Sequence, residues 1–200
     1  MKRPILLYLV VLSIFFSGCM ALKGNDYKDF SIVYPERVSQ IPKSDLRIQY
    51  VMDAKHYANG IPVSVSLETK RRYVASLEKV LAEQHMFNQI GPAVADPDWS
   101  IKIDIQENEI INDLNVLVSG FSFMLIPAKE TIEIDTTATV FNKDGRQLAT
   151  LKANQNADVY YHLFFLFPWN MGLLDEIQQN LLKDIVLQLG ELASQKGEKL

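Results

Sequence analysis

The stretch Trp99–Glu107, WSIKIDIQE, decides the fold class. Trp99, Ile101, Ile103 and Ile105 occupy every second position, with Ser100, Lys102, Asp104 and Gln106 between them. Successive side chains of an extended chain point to opposite faces, so this is a strand with one dry face and one wet face. Such a strand needs an apolar cover. Two segments supply one at helical spacing. The first starts at Ser66, read as an N-cap with Glu68 in the first turn, and runs to about Phe87; Val74, Leu77, Val80, Leu81 and Phe87 form its stripe. The second runs from about Leu173 to Ala193, with Leu174, Ile177, Leu181, Ile185, Leu189 and Leu192 as its stripe.

Working outward, LRIQYVMD at Leu46–Asp53 alternates in the same way, with Leu46, Ile48, Tyr50 and Met52 on one face. ETIEIDTTATVF at Glu130–Phe141 does so too, and the turn NKDG at Asn142–Gly145 folds it against RQLATLKANQNADVYY as a hairpin. The expected architecture is α+β, a two-layer sandwich. A mainly antiparallel sheet of about four or five strands carries two amphipathic helices on one face. One domain, residues 45–193, holds this pattern, and a frayed tail, residues 194–200, follows it.

Ahead of the domain lies a different kind of sequence. Lys2 and Arg3 precede an apolar run, Ile5–Phe16, of about a dozen residues, the length of a secretory signal core and short of a spanning helix. Ser17 and Gly18 lead into Cys19, the one cysteine in the chain, which excludes an internal disulfide. FSGC at Phe16–Cys19 resembles the lipobox of bacterial lipoproteins. That resemblance implies a signal peptide at residues 1–18, diacylglycerol on the Cys19 thiol and an acyl group on the new amine. It departs from the family pattern in having Phe16 where leucine is usual. Met20 after the cysteine, in place of aspartate, implies the outer membrane, with the protein lipid-anchored at the periplasmic face of a Gram-negative envelope. Residues 19–44 then read as a lipidated tether and an irregular lead-in containing Pro35 and Pro42. The order of elements is also similar to that of the lipopolysaccharide-assembly lipoprotein LptE and of the TolB N-terminal domain. SGFSFMLIP and LFPW resemble segments of uncharacterised envelope lipoproteins, a family that implies no known chemistry.

Composition narrows the function. The formal charge is −4 and basic residues are scattered apart from Lys70, Arg71 and Arg72, so no field draws in nucleic acid. That triplet reads as the wet side of a helix, with contact to anionic headgroups as its alternative. His56, His85 and His162 lie far apart in sequence and none stands at metal-ligand spacing from a cysteine or carboxylate. No metal and no cofactor are expected beyond the covalent lipid. Asp104, Glu107, Glu109 and Asp113 form an acidic run, read as a solvated face, with a divalent cation as the weaker alternative. Ser119, Ser122, Asp158 and His162 are residue types that a hydrolase would need, but VSGFS is not a nucleophile elbow.

Two stretches are more apolar than a one-sided sheet requires: VLVSGFSFMLIP at Val116–Pro127, and VYYHLFFLFPWNMGLL at Val159–Leu174. The plainer reading makes them neighbouring strands covered on both faces. The functional reading leaves part of this surface exposed as a docking patch of Phe121, Phe123, Phe164, Phe165, Phe167 and Trp169. Its partner would be an envelope membrane protein, the bilayer, or a second copy of the chain. The expected role is a non-catalytic binding or assembly accessory of an envelope transport or assembly system. A lipid or glycan carrier with a pocket between helices and sheet is one alternative, and a hydrolase the other.

Overall fold

In the computed structural model, residues 18–25, 33–84, 86–123, 125–162 and 172–197 are described. Trp99, Ile101, Ile103 and Ile105 are all buried on one face of a strand. The strands are β1 (Gly18–Lys23), β2 (Ser44–Ala58), β3 (Ile61–Val63), β4 (Phe87–Gly91), β5 (Trp99–Ile111), β6 (Ala128–Asn142) and β7 (Gln147–His162). The helices are α1 (Val33–Ser39), α2 (Leu67–Gln84), α3 (Asp113–Phe121) and α4 (Gly172–Gly197). The strands form one sheet in the order β1-β7-β6-β5-β2-β3, with β4 also pairing β2.

The α+β class holds, and the sheet is larger than expected, with seven strands among the described residues. It is also mixed. β2 runs parallel to β5 and to β4, because the chain leaves β2, turns through β3, crosses the sheet in α2 and returns through β4 and β5. A parallel neighbour needs such a crossover, and α2 provides it. The remaining pairs, β5–β6, β6–β7, β1–β7 and β2–β3, are antiparallel.

Helices α2 and α4 pack together over one face. Ser66 caps α2 as read, its Oγ accepting from the Thr69 amide at 3.0 Å. The helix stops at Gln84, short of Phe87, which opens β4. Along α4, Ile177, Leu181, Ile185 and Leu189 are buried against the sheet. Each such side chain contributes about 1.5–3 kcal/mol on leaving water. The opposite face carries Lys102, Gln106, Asp135, Lys152 and Asn154, all exposed. Between helices and sheet, beside Tyr50, Leu77 and Ile185, the free space is about 10 Å³, room for one water at most.

Three local expectations change. The segment Val116–Pro127 is not a strand: α3 occupies its first half. Asn112 caps that helix, its Oδ1 accepting from the Asn115 amide at 3.1 Å, and Asp113 sits in the first turn. The lead-in is more ordered than a tether. Gly18–Lys23 forms edge strand β1 on β7, and Val33–Ser39 forms α1 with Pro35 early in the helix, where its missing N–H costs nothing. The final helix continues to Gly197, past the expected end at Ala193. Phe164, Phe165, Phe167 and Trp169, His85 and the signal segment up to residue 17 lie outside the described residues.

Candidate functional site

Strand register decides what meets at each end of the sheet. Cys19 is opposite Tyr161, Tyr161 is opposite Ala128, and Glu130 is opposite Ile111. The start of β1, the end of β7, the start of β6 and the end of β5 therefore share one edge, here called the Cys19 end. The β2–β3 turn at Asn59–Gly60 closes at that end as well, and the Asn59 amide donates to the Glu109 carbonyl at 2.8 Å. Trp99 faces Asn142 at the opposite end.

The two ends differ in chemistry. At the Trp99 end Arg47 pairs with Asp96 at 3.0 Å and Asp98 at 3.4 Å, and the turn carries Lys143, Asp144 and Arg146. The Arg47 backbone N–H and guanidinium hold the Asp98 carboxyl below the usual carboxylate range. At the Cys19 end, residues 114–126 contain no ionisable side chain. Ser119 is the buried residue of α3, so the helix turns most of its apolar side chains outward. Leu114 is 68% exposed, and Phe121 and Phe123 are each 81% exposed. Leu117, Leu125 and Ile126 are exposed beside them, and Ile61 at the β2–β3 turn is 68% exposed. Contiguous apolar surface of this kind marks an interaction site.

The turn after α3 fixes the two rings. The Ser122 hydroxyl donates to the Ser119 carbonyl at 3.0 Å and accepts from the Ile126 amide at 3.0 Å. The Phe123 amide donates to the Gly120 carbonyl at 3.1 Å, and Phe123 itself has φ +52°. That left-handed conformation costs a residue with a Cβ about 1–2 kcal/mol and suits glycine or asparagine. Here it carries a phenylalanine whose ring faces water.

A second constellation lies on the covered face at the same end. His56 stands opposite Glu107 across the parallel β2–β5 pair, and Glu109 is one pleat further on. Their ligand atoms fall within 4.8 Å of one another. The Tyr73 hydroxyl donates to Glu107 Oε2 at 2.9 Å, and the Tyr161 hydroxyl donates to Glu130 Oε2 at 2.8 Å. His56 Nε2 lies 3.2 Å from Glu109 Oε1 without the alignment of a hydrogen bond. Burial pushes the Glu130 carboxyl up, and the neighbouring Glu109 and Glu107 charges push it further. One imidazole and two carboxylates could ligate a cation; of these groups Glu107 is already held by the Tyr73 phenol.

The acidic run of the sequence is thus divided. Asp104 faces the wet side and pairs with Lys102 at 2.9 Å, Asp113 is exposed in α3, and Glu107 and Glu109 turn inward to His56. Lys70 of the basic triplet pairs with Asp53 at 2.9 Å, and Arg71 and Arg72 are exposed. Asp158 accepts from Thr131 at 2.8 Å and pairs with Lys129 at 2.9 Å, while His162 Nε2 lies 2.9 Å from the Leu125 carbonyl oxygen. The Ser122 hydroxyl is engaged in its own turn, and the Ser119 hydroxyl is buried under α3. Sequence reading named Phe121 and Phe123 and missed Leu114, Leu117, Leu125 and Ile126 as their companions. It also missed the meeting of His56 with Glu107 and Glu109, which only strand register reveals.

No family model matches the sequence, and a search of curated proteins returns no match. Among solved structures, a minor lipoprotein from Acinetobacter baumannii aligns at 10% identity over 78% of this chain and 95% of that one, with a TM-score of 0.39. PelC from Paraburkholderia phytofirmans, solved as a dodecamer, aligns at 5% identity over 87% and 97%, with a TM-score of 0.40. A neuraminyllactose-binding hemagglutinin homologue from Helicobacter pylori aligns at 6% identity over 90% and 100%, with a TM-score of 0.45. These scores are all below 0.5, and no functional likeness follows from them.

Proposed function

We propose that this chain is a lipid-anchored protein of the outer membrane, facing the periplasm of a Gram-negative envelope. It works by binding, as a non-catalytic accessory of an envelope transport or assembly system, and its partner is an envelope membrane protein. One observation supports this above the rest: the residue read as the acylation site, Cys19, lies in an edge strand at the same end of the sheet as an uncharged, outward-facing apolar surface. An anchor there would hold the folded body close to the membrane, because Cys19 itself pairs with Tyr161 in β1 and leaves no long flexible spacer between lipid and sheet. Two or three acyl chains give durable attachment where one does not.

The carrier alternative draws no support from the closed space beside Tyr50, Leu77 and Ile185, which at about 10 Å³ has no room for an acyl chain or a sugar; the larger clefts, about 300 Å³ beside Leu81, Phe87 and Val186 and about 390 Å³ beside His56, Pro62 and Lys70, are open to solvent. The test is acyl labelling in cells with fractionation. The wild-type chain takes up a palmitate label and sediments with outer membranes. Cys19→Ser takes up none and leaves that fraction. Equal sedimentation of both forms without label would overturn the reading.

A further inference from the structure

We infer that the apolar surface of α3 and its following turn is a bilayer-docking surface: Leu114, Leu117, Phe121 and Phe123 enter the headgroup and upper acyl region of the membrane that holds the anchor. This rests on the anchored reading above and names what one end of the protein touches. The protein partner then meets the remaining faces.

Four observations favour lipid as the occupant. First, the anchor and the surface share an end of the sheet. Cys19 is separated from the end of β5, where α3 begins, by strands β7 and β6, three inter-strand steps or about 15 Å. A membrane gripping Cys19 is therefore already within one helix diameter or so of α3. Second, the surface has no charge to pair with a protein or an anionic headgroup: residues 114–126 hold no Asp, Glu, Lys, Arg or His. It matches hydrocarbon, and aromatic rings are the side chains suited to the interfacial depth. Third, seating α3 in lipid leaves in water the far end of the sheet, with the ion pairs of Arg47 with Asp96 and Asp98 and the Lys143–Arg146 turn, while at the Cys19 end Lys129 is paired with Asp158 and His56 lies against Glu109. Fourth, Phe123 keeps a bulky ring exposed at φ +52°, where folding alone favours glycine or asparagine. The helix lies flat in the interface: it has nine residues, too few to span, and no described helix is long and apolar enough to cross a membrane.

The test uses the full acylated chain in vesicles of phosphatidylethanolamine with phosphatidylglycerol. An environment-sensitive fluorophore is placed on Leu117→Cys or, as a control, on Lys143→Cys at the charged end, and unfolding midpoints show that both variants fold. The Leu117 label should be quenched severalfold more by bromine-substituted lipid than by iodide in the buffer, and the Lys143 label the reverse. Iodide quenching at Leu117 equal to that at Lys143, in protein that floats with the vesicles, overturns the docking surface and leaves the anchor standing. Shielding of Leu117 from both quenchers also overturns it, and assigns α3 to a protein contact such as a second copy or residues 163–171. Failure of the acylated chain to float overturns both readings.

Discussion

Replacing the two exposed rings together, Phe121→Gln with Phe123→Asn, should leave the fold nearly as stable as before. A phenylalanine side chain presents about 200 Å². With each ring 81% exposed, roughly 40 Å² is covered by the rest of the protein, which at about 25 cal/mol per Å² amounts to ~1 kcal/mol per ring. Asparagine tolerates positive φ better than phenylalanine, which offsets part of the loss at residue 123. The net change is therefore at most ~2 kcal/mol by this area reckoning. The membrane side of the same arithmetic is larger. About 160 Å² of each ring is available to lipid, so full burial would contribute ~4 kcal/mol per ring. Even a quarter of that burial, ~1 kcal/mol, is about fivefold in partitioning. Urea unfolding followed by circular dichroism measures the first quantity, and vesicle partitioning of a chain lacking the acyl groups measures the second. A loss above ~4 kcal/mol in the unfolding experiment, the range of core truncations, would refute the reasoning, because it would mean that the rings are packed against protein.

Other substitutions probe the parts that hold this surface in place. Leu181→Ala, in the fully buried stripe of α4, should cost about 2–5 kcal/mol in the same unfolding assay. Phe123→Gly should change the unfolding free energy by no more than about 1 kcal/mol, because relief of about 1–2 kcal/mol of left-handed strain is offset by the lost cover of the ring and the greater freedom of glycine in the unfolded chain, while weakening vesicle binding. Glu130→Gln should flatten the pH dependence of stability. The Glu130 carboxyl is raised in the fold, so its contribution is complete below the ordinary glutamate range and declines as pH rises through the folded value; thermal melts of both forms across that interval read the difference. Arg47→Ala acts in the opposite sense. Asp98 is held low, so its contribution is present above the ordinary aspartate range and is lost as pH falls; alanine keeps the backbone N–H that is the larger cause, so the variant should lose only the guanidinium share of that stability near neutrality and less in acid.

Much of the architecture was legible because its strands are one-sided. Alternation placed β5, β6 and the core half of β2, and the stripes of α2 and α4 came within a few residues of their observed bounds. The error at α3 has a physical cause. Periodicity locates a helix by the contrast between its faces, and Leu114–Phe121 has almost none, so an apolar run there resembles a buried strand. The cap at Asn112 followed by Asp113 was the available signal, and the β-branched content of the run masked it. β1 escaped notice because MALK carries no alternation of its own; β7, six paired positions long at that edge, gives it its shape. The His56, Glu107 and Glu109 cluster was illegible for a different reason. Its members are neighbours only once β2 and β5 are known to be parallel and in register, and that depends on the α2 crossover.

The pairing of β1 along β7 also has a mechanical meaning. With the proposed lipid on Cys19, a pull on the protein away from the membrane would reach β1 at its start and load it along its own axis. The five paired positions from Cys19 to Lys23 would then resist in shear together, where a peeling geometry would break them one by one.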